Sequence, residues 1–318
     1  MWAQTLEIYA IDVEGGKATL FVSPSGESML VDTGYDAPNG RDAERILKVA
    51  ALAGVRQLDY LVITHYHKDH IGGVARLSKR LPIRTFVDHG KNFETVKDVA
   101  ALYAAYVSAR QKGKHLEVRA GEVIPIRGMR VDVVTAAGRV IDSPLAGAGA
   151  PNPTCASYHP LKPDDGENAH SIGLVIAYGA FRVADLGDLY WNQEHDLACP
   201  DNKMGTVDLY LTTHHGTKTS GSPQLVWALR PKVALMNNGA TKGGSVEALE
   251  TIHRSPGLLD LWQLHYSNAG GPSRNTPEQL IANPSENCEG NWLRVSARQD
   301  GSFTIYNSRN RYEKSYRR

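Results

Sequence analysis

His65, His67, Asp69 and His70 fall within the stretch THYHKDHIGG, residues 64 to 73, directly after the apolar run LDYLVI. Imidazole nitrogens and carboxylate oxygens together are the donor set of Zn2+ or a comparable divalent ion. His65 and His67 are two residues apart, so in an extended segment leaving a strand both rings project to one side, and one ion can take both. Asp69 and His70 come next, at the expected start of a helix, and approach the same space from another angle, which suits a second ion. A helix N-terminus disfavours imidazolium and leaves His70 available as a neutral ligand. Four costly polar groups beside a buried strand need mutual compensation, and a metal supplies it. Gly72 and Gly73 are expected to leave room where a side chain would obstruct the metal pocket.

One loop offers too few ligands for two ions, so the remainder should stand at the ends of other strands. Asp188, in RVADLGDLY, follows an apolar strand and a glycine. His214 and His215, in LYLTTHHG, follow another strand directly, and His170, in ENAHSIGLVI, immediately precedes one. Asp32, in MLVDTG, carries the D-T-G signature of aspartic proteases, but that chemistry needs a second carboxylate at close range, and no second DTG or DSG exists here. His89, Lys218, Asn237, Asn238 and His265 also stand near strand ends, where both a substrate-binding and a structural role stay open. Asp12 reads as a strand or surface residue, and Trp227 and the face of 99–107 as core.

These residues depend on elements that the hydrophobic pattern outlines. TLEIYAIDV and ATLFVSPSGESMLVDTG alternate as antiparallel strands joined by turns at Gly15-Gly16 and Pro24 to Gly26. GRDAERILKVAALAGV places Ala43, Ile46, Leu47, Ala50 and Ala51 at helical spacing and ends at Gly54. After the motif come a short helix, the strand IRTFVDH and a long helix over 94–112, then alternation over 116–135 of the kind hairpins show. Residues 136–166 have no period and are rich in Gly, Ala, Pro and Ser, which reads as a lid or active-site loop. Four further strands, a helix around SPQLVWALR and a closing hairpin extension at 285–310 complete the chain. Two halves of mixed strands followed by helices predict an α/β fold, an αββα four-layer sandwich of two mixed sheets flanked by helices, over 1–318 as one unit.

The order HxHxDH, a later His before a strand, Gly-Asp after the next strand and a final His after another resembles the metallo-β-lactamase-fold hydrolase superfamily over residues 5 to 240. Within it, GENAHSIGLVIAYGAFRVADLGD and VDLYLTTHHGTKTSGSPQLVWALRP look most like the free-standing relatives of the ComEC-type domains of DNA-uptake proteins. The resemblance implies one metal on His65, His67 and His170, a second on Asp69, His70 and His214, and a bridging Asp188, with Asp69 and Asp188 counted as catalytic. His214 is preferred to His215 because it comes first after the strand. ComEC-type domains often have Asn near the place of His170, so a His there gives this chain the fuller dinuclear set. Asp32 takes a supporting place, hydrogen-bonded to a ligand histidine.

Two divalent ions about 3.5 to 4 Å apart, Zn2+ or else Mn2+ or Fe2+, lower the pKa of a bridging water and polarise the scissile group. The expected activity is a phosphodiesterase-like hydrolase acting through a metal-bridging hydroxide on a small or promiscuous ester. A lactonase or β-lactamase is the alternative, and a non-catalytic metal-binding sensor a further one. The 318 residues carry 35 Lys plus Arg against 34 Asp plus Glu, a formal charge of +1, so no global field favours nucleic acid or an anionic membrane. No apolar stretch approaches the ~20 residues of a membrane span. WAQ, residues 2 to 4, resembles the tail of a signal-peptide cleavage site, which leaves an exported or periplasmic location open beside a cytoplasmic one. Cys155, Cys199 and Cys288 form no metal-spaced cluster; a Cys199–Cys288 disulfide and three buried free thiols stay open.

Overall fold

Alternation along the opening strand, Leu6–Ala10, decides which way it faces. Leu6, Ile8 and Ala10 point into the space between two sheets, whereas Tyr9 points outward to a layer of helices. The computed structural model describes residues 5–94 and 97–317; the WAQ segment and, in the expected helix over 94–112, Thr95 and Val96 lie outside the described residues.

The first sheet runs, in spatial order, Glu313–Tyr316, Phe303–Asn307, Leu293–Ala297, Leu6–Ala10, Thr19–Val22, Ser28–Val31, Leu58–Val62, Ile83–Asp88 and Lys114–Glu117. Its pairings are antiparallel as far as Ser28–Val31 and parallel from there on. The second sheet runs Ile281–Asn283, Asp260–His265, Val233–Met236, Leu209–Leu211, Phe181–Asp185, Gly173–Tyr178, Arg130–Ala136 and Val123–Ile124, with Arg139–Val140 beside Arg130–Ala136. It is parallel as far as Phe181–Asp185 and antiparallel beyond.

Inner faces of both sheets share one core, in which Phe21, Met29, Val31 and Val62 meet Leu174, Val183, Leu209, Leu235 and Trp262. Helices Arg41–Leu52 and Lys97–Arg110 cover the outside of the first sheet through Ile46, Val49, Ala50 and Tyr106. Trp191–Ala198, Pro223–Leu229 and Val246–His253 cover the second through Leu197, Leu225, Leu229, Leu249 and Ile252. Ser222 and Ser245 start the last two of these helices by accepting the N–H groups of Leu225 and Ala248. The αββα sandwich read from the sequence is the observed architecture.

Four local readings differ. Residues 116–135 do not form one run of hairpins: Lys114–Glu117 closes the first sheet, and the chain then crosses to the second. Ala51, assigned to the apolar face of its helix, is exposed, and Val49 takes its place in the core. The C-terminal hairpin is not an appendage, because Leu293–Ala297 pairs with Leu6–Ala10 and continues the sheet. Cys199 pairs with Cys155 rather than Cys288, which is a free thiol. That disulfide fastens the segment 136–166, which is further held where Ala150–Pro151 pairs with Asp201–Asn202 and Leu145 N–H donates to Lys203 O. No helix among the described residues is long and apolar enough to cross a membrane.

Candidate metal centre

In both sheets, antiparallel pairing gives way to parallel pairing beside two strands whose carboxyl ends face the same crevice. Ser28–Val31 and Leu58–Val62 deliver Asp32 and the segment from Thr64 to His70; Phe181–Asp185 and Leu209–Leu211 deliver Asp188 and the His214-His215 pair. Carboxyl ends of strands at such a change of direction are where open α/β sheets present ligand sites.

Asp69, His70, Asp188 and His215 form the tightest group, with one ligand atom of each lying within 4.8 Å of all the others. All four are buried. His70 Nε2 is 3.1 Å from Asp188 Oδ2 and 3.3 Å from Asp69 Oδ2, and His215 Nε2 is 3.3 Å from each of those oxygens. Asp32, in a left-handed backbone conformation (φ 62°), accepts from His70 Nδ1 at 2.8 Å and from the Thr64 amide and hydroxyl at 2.8 and 2.7 Å. His215 Nδ1 donates to Asn237 O at 3.2 Å. With its Nδ1–H committed to Asp32, His70 turns a lone pair toward two carboxylates, so a proton or a metal must lie between them.

The electrostatics express that need. Burial works against a charged His70, but Asp188, Asp32 and Asp69 outweigh it and hold its pKa well above the ordinary imidazole value. Burial likewise opposes ionisation of Asp188, yet His70, His215 and His214 hold its carboxyl well below the usual range; His70, His215 and Lys242 do the same for Asp69. His65 is driven well below the ordinary value by burial and the neighbouring His70. Asp188 Oδ1 and His215 Nε2 are buried without a hydrogen-bond partner. Two orphaned donor atoms within a two-carboxylate, two-imidazole set fit a divalent ion, which would displace the shared proton.

The other expected ligands do not join this group: His65 and His214 border it at Asp188, and His67 and His170 stand farther out on their loops. His65 Nε2 is 3.9 Å from Asp188 Oδ2 and 3.1 Å from His67 Nδ1, while His67 Nε2 faces Glu94 at 3.5 Å. His170 donates Nδ1–H to Gly166 O at 2.7 Å and stacks on Phe93 with ring centroids 3.8 Å apart. His214 Nε2 lies 3.5 Å from Asp188 Oδ2 and its Nδ1 3.1 Å from Ser220 Oγ, with burial pulling its pKa down to about 4. Of the histidine pair, it is His215 rather than the expected His214 that the structure brings into the group with Asp69 and His70. Both residues are left-handed (φ 51° and 55°), and this turn swings the second ring, not the first, over the cluster. Such conformations cost of order 1–3 kcal/mol each and persist where surrounding contacts impose them.

Gly72 and Gly73 serve a purpose other than the one read from sequence. A side chain at Gly72 would meet Asp36 N at 2.3 Å, and one at Gly73 would meet Thr33 O at 2.2 Å, so they admit the 33–36 backbone rather than clear the metal pocket. His89 is buried with Nε2 3.2 Å from Glu167 Oε2, outside the ligand group. Asn238 bonds to the backbone of Gly239 and His265, and Asn237 Nδ2 lies 3.3 Å from His215 Nδ1. His265 turns away from the centre to Asp12 at 2.7 Å, and Asp12 is fully buried, not a surface residue. Lys218 lines a cavity of about 680 Å³ together with Leu161, Lys162, Tyr190 and Trp191. Tyr190 also packs on His214, with ring centroids 5.4 Å apart, so the cavity adjoins the centre.

Four contributors escaped the sequence reading. Glu167 is buried and accepts from Tyr66 N, Phe93 N and His89 Nε2, tying together the three loops that carry His65, Phe93 and His170. Its place three residues before His170 is the only cue the sequence offered. Lys242 bonds to Asp69 and to Tyr35 Oη at 3.3 Å, a cation set between glycines in NNGATKGG. Lys17 and Asp185 form a fully buried ion pair beneath the centre. Removing one partner of such a pair typically costs about 3–5 kcal/mol.

Comparison with known proteins agrees with this geometry. Residues 11–166 match the family model "Metallo-beta-lactamase superfamily". Recombination protein 2 of Haemophilus influenzae is 26% identical over 259 residues, covering 79% of this chain and 27% of that protein. ComE operon protein 3 of Bacillus subtilis is 25% identical over 249 residues, covering 73% and 28%. The chain thus spans little more than a quarter of the length of these curated relatives. The metallo-beta-lactamase fold protein YhfI of Bacillus subtilis superposes with a TM-score of 0.51 at 12% identity, over 82% of this chain and 96% of its own. By its sequence match over residues 11–166 the chain carries a metallo-beta-lactamase superfamily domain, and its four-layer architecture is that fold.

Proposed function

We propose that the chain is a metal-dependent hydrolase of phosphoester bonds, phosphodiester-type, in a small or promiscuous substrate. One observation carries the reading: the buried Asp69, His70, Asp188 and His215 group, with two orphaned donor atoms, adjoins a cavity that presents Lys162, Lys218, Tyr190 and Trp191. A pair of divalent ions, which this buried group would hold together with His65, His67 and His170, would supply Lewis acidity and activation of water at neutral pH. Asp32 and the Asn237 carbonyl fix the rings of His70 and His215, so the donor atoms are set before a substrate arrives. Lys218 and Lys162 offer cations to an anionic ester in a wall that also carries Asp164, Asp165 and Glu247, and the faces of Tyr190 and Trp191 offer apolar contact to whatever the ester carries. The 136–166 segment supplies Leu161 to Asp165 to the cavity wall and acts as the substrate-selecting lid.

Near-zero net charge favours a small substrate over a long nucleic-acid track, although the name of one relative, Recombination protein 2, keeps nucleic acid as the second reading. The Cys155–Cys199 disulfide supports an oxidising compartment. The test is a metal-dependent rate comparison on a phosphodiester, a lactone and a cephalosporin. Fastest turnover of the phosphodiester is expected; faster turnover of the lactone or the cephalosporin would replace this reading with an acyl hydrolase. No turnover of any ester by metal-replete protein would leave the sensor.

A further inference from the structure

A second group of donor atoms lies outside the centre just described. Asp12, His265 and Cys288 each offer one ligand atom, and these atoms lie within 4.8 Å of one another. They come from distant parts of the chain: the end of the opening strand, the end of Asp260–His265 in the other sheet, and the loop before Leu293–Ala297. His265 Nε2 is 2.7 Å from Asp12 Oδ1, and Cys288 Sγ is 3.1 Å from Asp12 Oδ2. Glu14 adds a fourth donor, with Oε1 3.9 Å from Cys288 Sγ. Asp12 and His265 are buried and Cys288 is half-buried, with Arg45 Nη2 3.5 Å from its Sγ.

We propose that Asp12, His265 and Cys288, with Glu14 beside them, form a mononuclear site for a borderline-soft divalent cation of the Zn2+ class, separate from the dinuclear centre. One thiolate, one imidazole and one carboxylate are the mixed sulfur, nitrogen and oxygen set that such an ion takes in four-coordinate sites. Charge balances: a carboxylate and a coordinated thiolate, deprotonated by the ion, neutralise a dication, while Glu14 is already matched by Arg41 and Arg45. Arg45 donates Nη1–H to Asp12 Oδ2 at 2.8 Å, which orients the carboxylate and leaves Oδ1 turned toward His265. The ion would clip the two sheets and the 284–291 loop together at one point.

Cobalt substitution tests this directly, because Cys155 and Cys199 are consumed in a disulfide and any thiolate-to-metal signal reports on Cys288. Full-length protein is stripped with a chelator and titrated with Co2+. A sulfur-to-cobalt charge-transfer band in the near ultraviolet is expected, complete once about three equivalents have been added and with the amplitude of about one thiolate ligand per chain. The band should persist in Asp188→Asn, which damages only the dinuclear centre, and vanish in Cys288→Ser. Zinc content should fall from about three to about two equivalents per chain in Cys288→Ser. Absence of the band in the unsubstituted protein, which requires no variant to fold, overturns the proposal. Equal metal content in properly folded Cys288→Ser does so as well.

Discussion

The two halves of the HxHxDH motif sit in unlike surroundings. Asp69 and His70 are buried and meet Asp188 and His215, with Asp32 and a backbone carbonyl behind the rings. His65 is buried too, but His67 has 28% of its side chain exposed, and His170 is held by stacking on Phe93 and by a carbonyl four residues away. One half is therefore assembled by charge and hydrogen bonds within the interior, the other by a ring contact and loops at the rim. Preorganisation of this kind sets affinity, so the Asp69, His70 and His215 half should load first and the His65, His67 and His170 half last.

The largest expected effect comes from the residue common to both halves. Asp188→Asn should lower kcat/KM on a phosphodiester by about 10³-fold or more, equivalent to several kcal/mol of lost transition-state stabilisation. A loss below about tenfold would mean that the two halves do not work through Asp188. Asp32→Asn leaves shape intact and removes the charge behind His70, so metal affinity of the tighter half should fall by about 10–100-fold, measured by competition with a chelator. His67→Ala should strip the rim ion alone: metal analysis is expected to show one equivalent fewer, with the tight equivalent retained. Loss of both ions in that variant would erase the distinction between the halves. Phe93→Ala, which removes the ring under His170, should weaken only the rim ion, by less than about tenfold.

The same contrast explains what could be read without coordinates. His65, His67, Asp69 and His70 are legible because they fall within six positions after one buried strand, and Asp32 and Asp188 because they follow strands whose apolar runs are plain. The His214-His215 choice is not, since two successive left-handed residues reverse the simple outward count along an extended segment. Asp12 was misjudged because its partners Arg45, His265 and Cys288 lie 33, 253 and 276 residues away. The Cys155–Cys199 disulfide is not legible in the sequence for a related reason: Cys155 lies in a segment without period, fixed by backbone bonds to residues near Cys199 rather than by a pattern of its own. Gly72 and Gly73 announced a close approach, but not that the approaching partner is the 33–36 backbone.

Metal dependence of phosphodiester hydrolysis is the most direct measurement. Cys288→Ser protein, in which the proposed two-ion centre would be the site left to fill, is stripped by chelation and titrated with zinc while metal content and hydrolysis are followed together. Hydrolysis is expected to be lost on stripping and to return to its maximum as about two equivalents bind. Full hydrolysis by protein holding almost no metal would contradict a metal-dependent hydrolase built on Asp69, His70, Asp188 and His215.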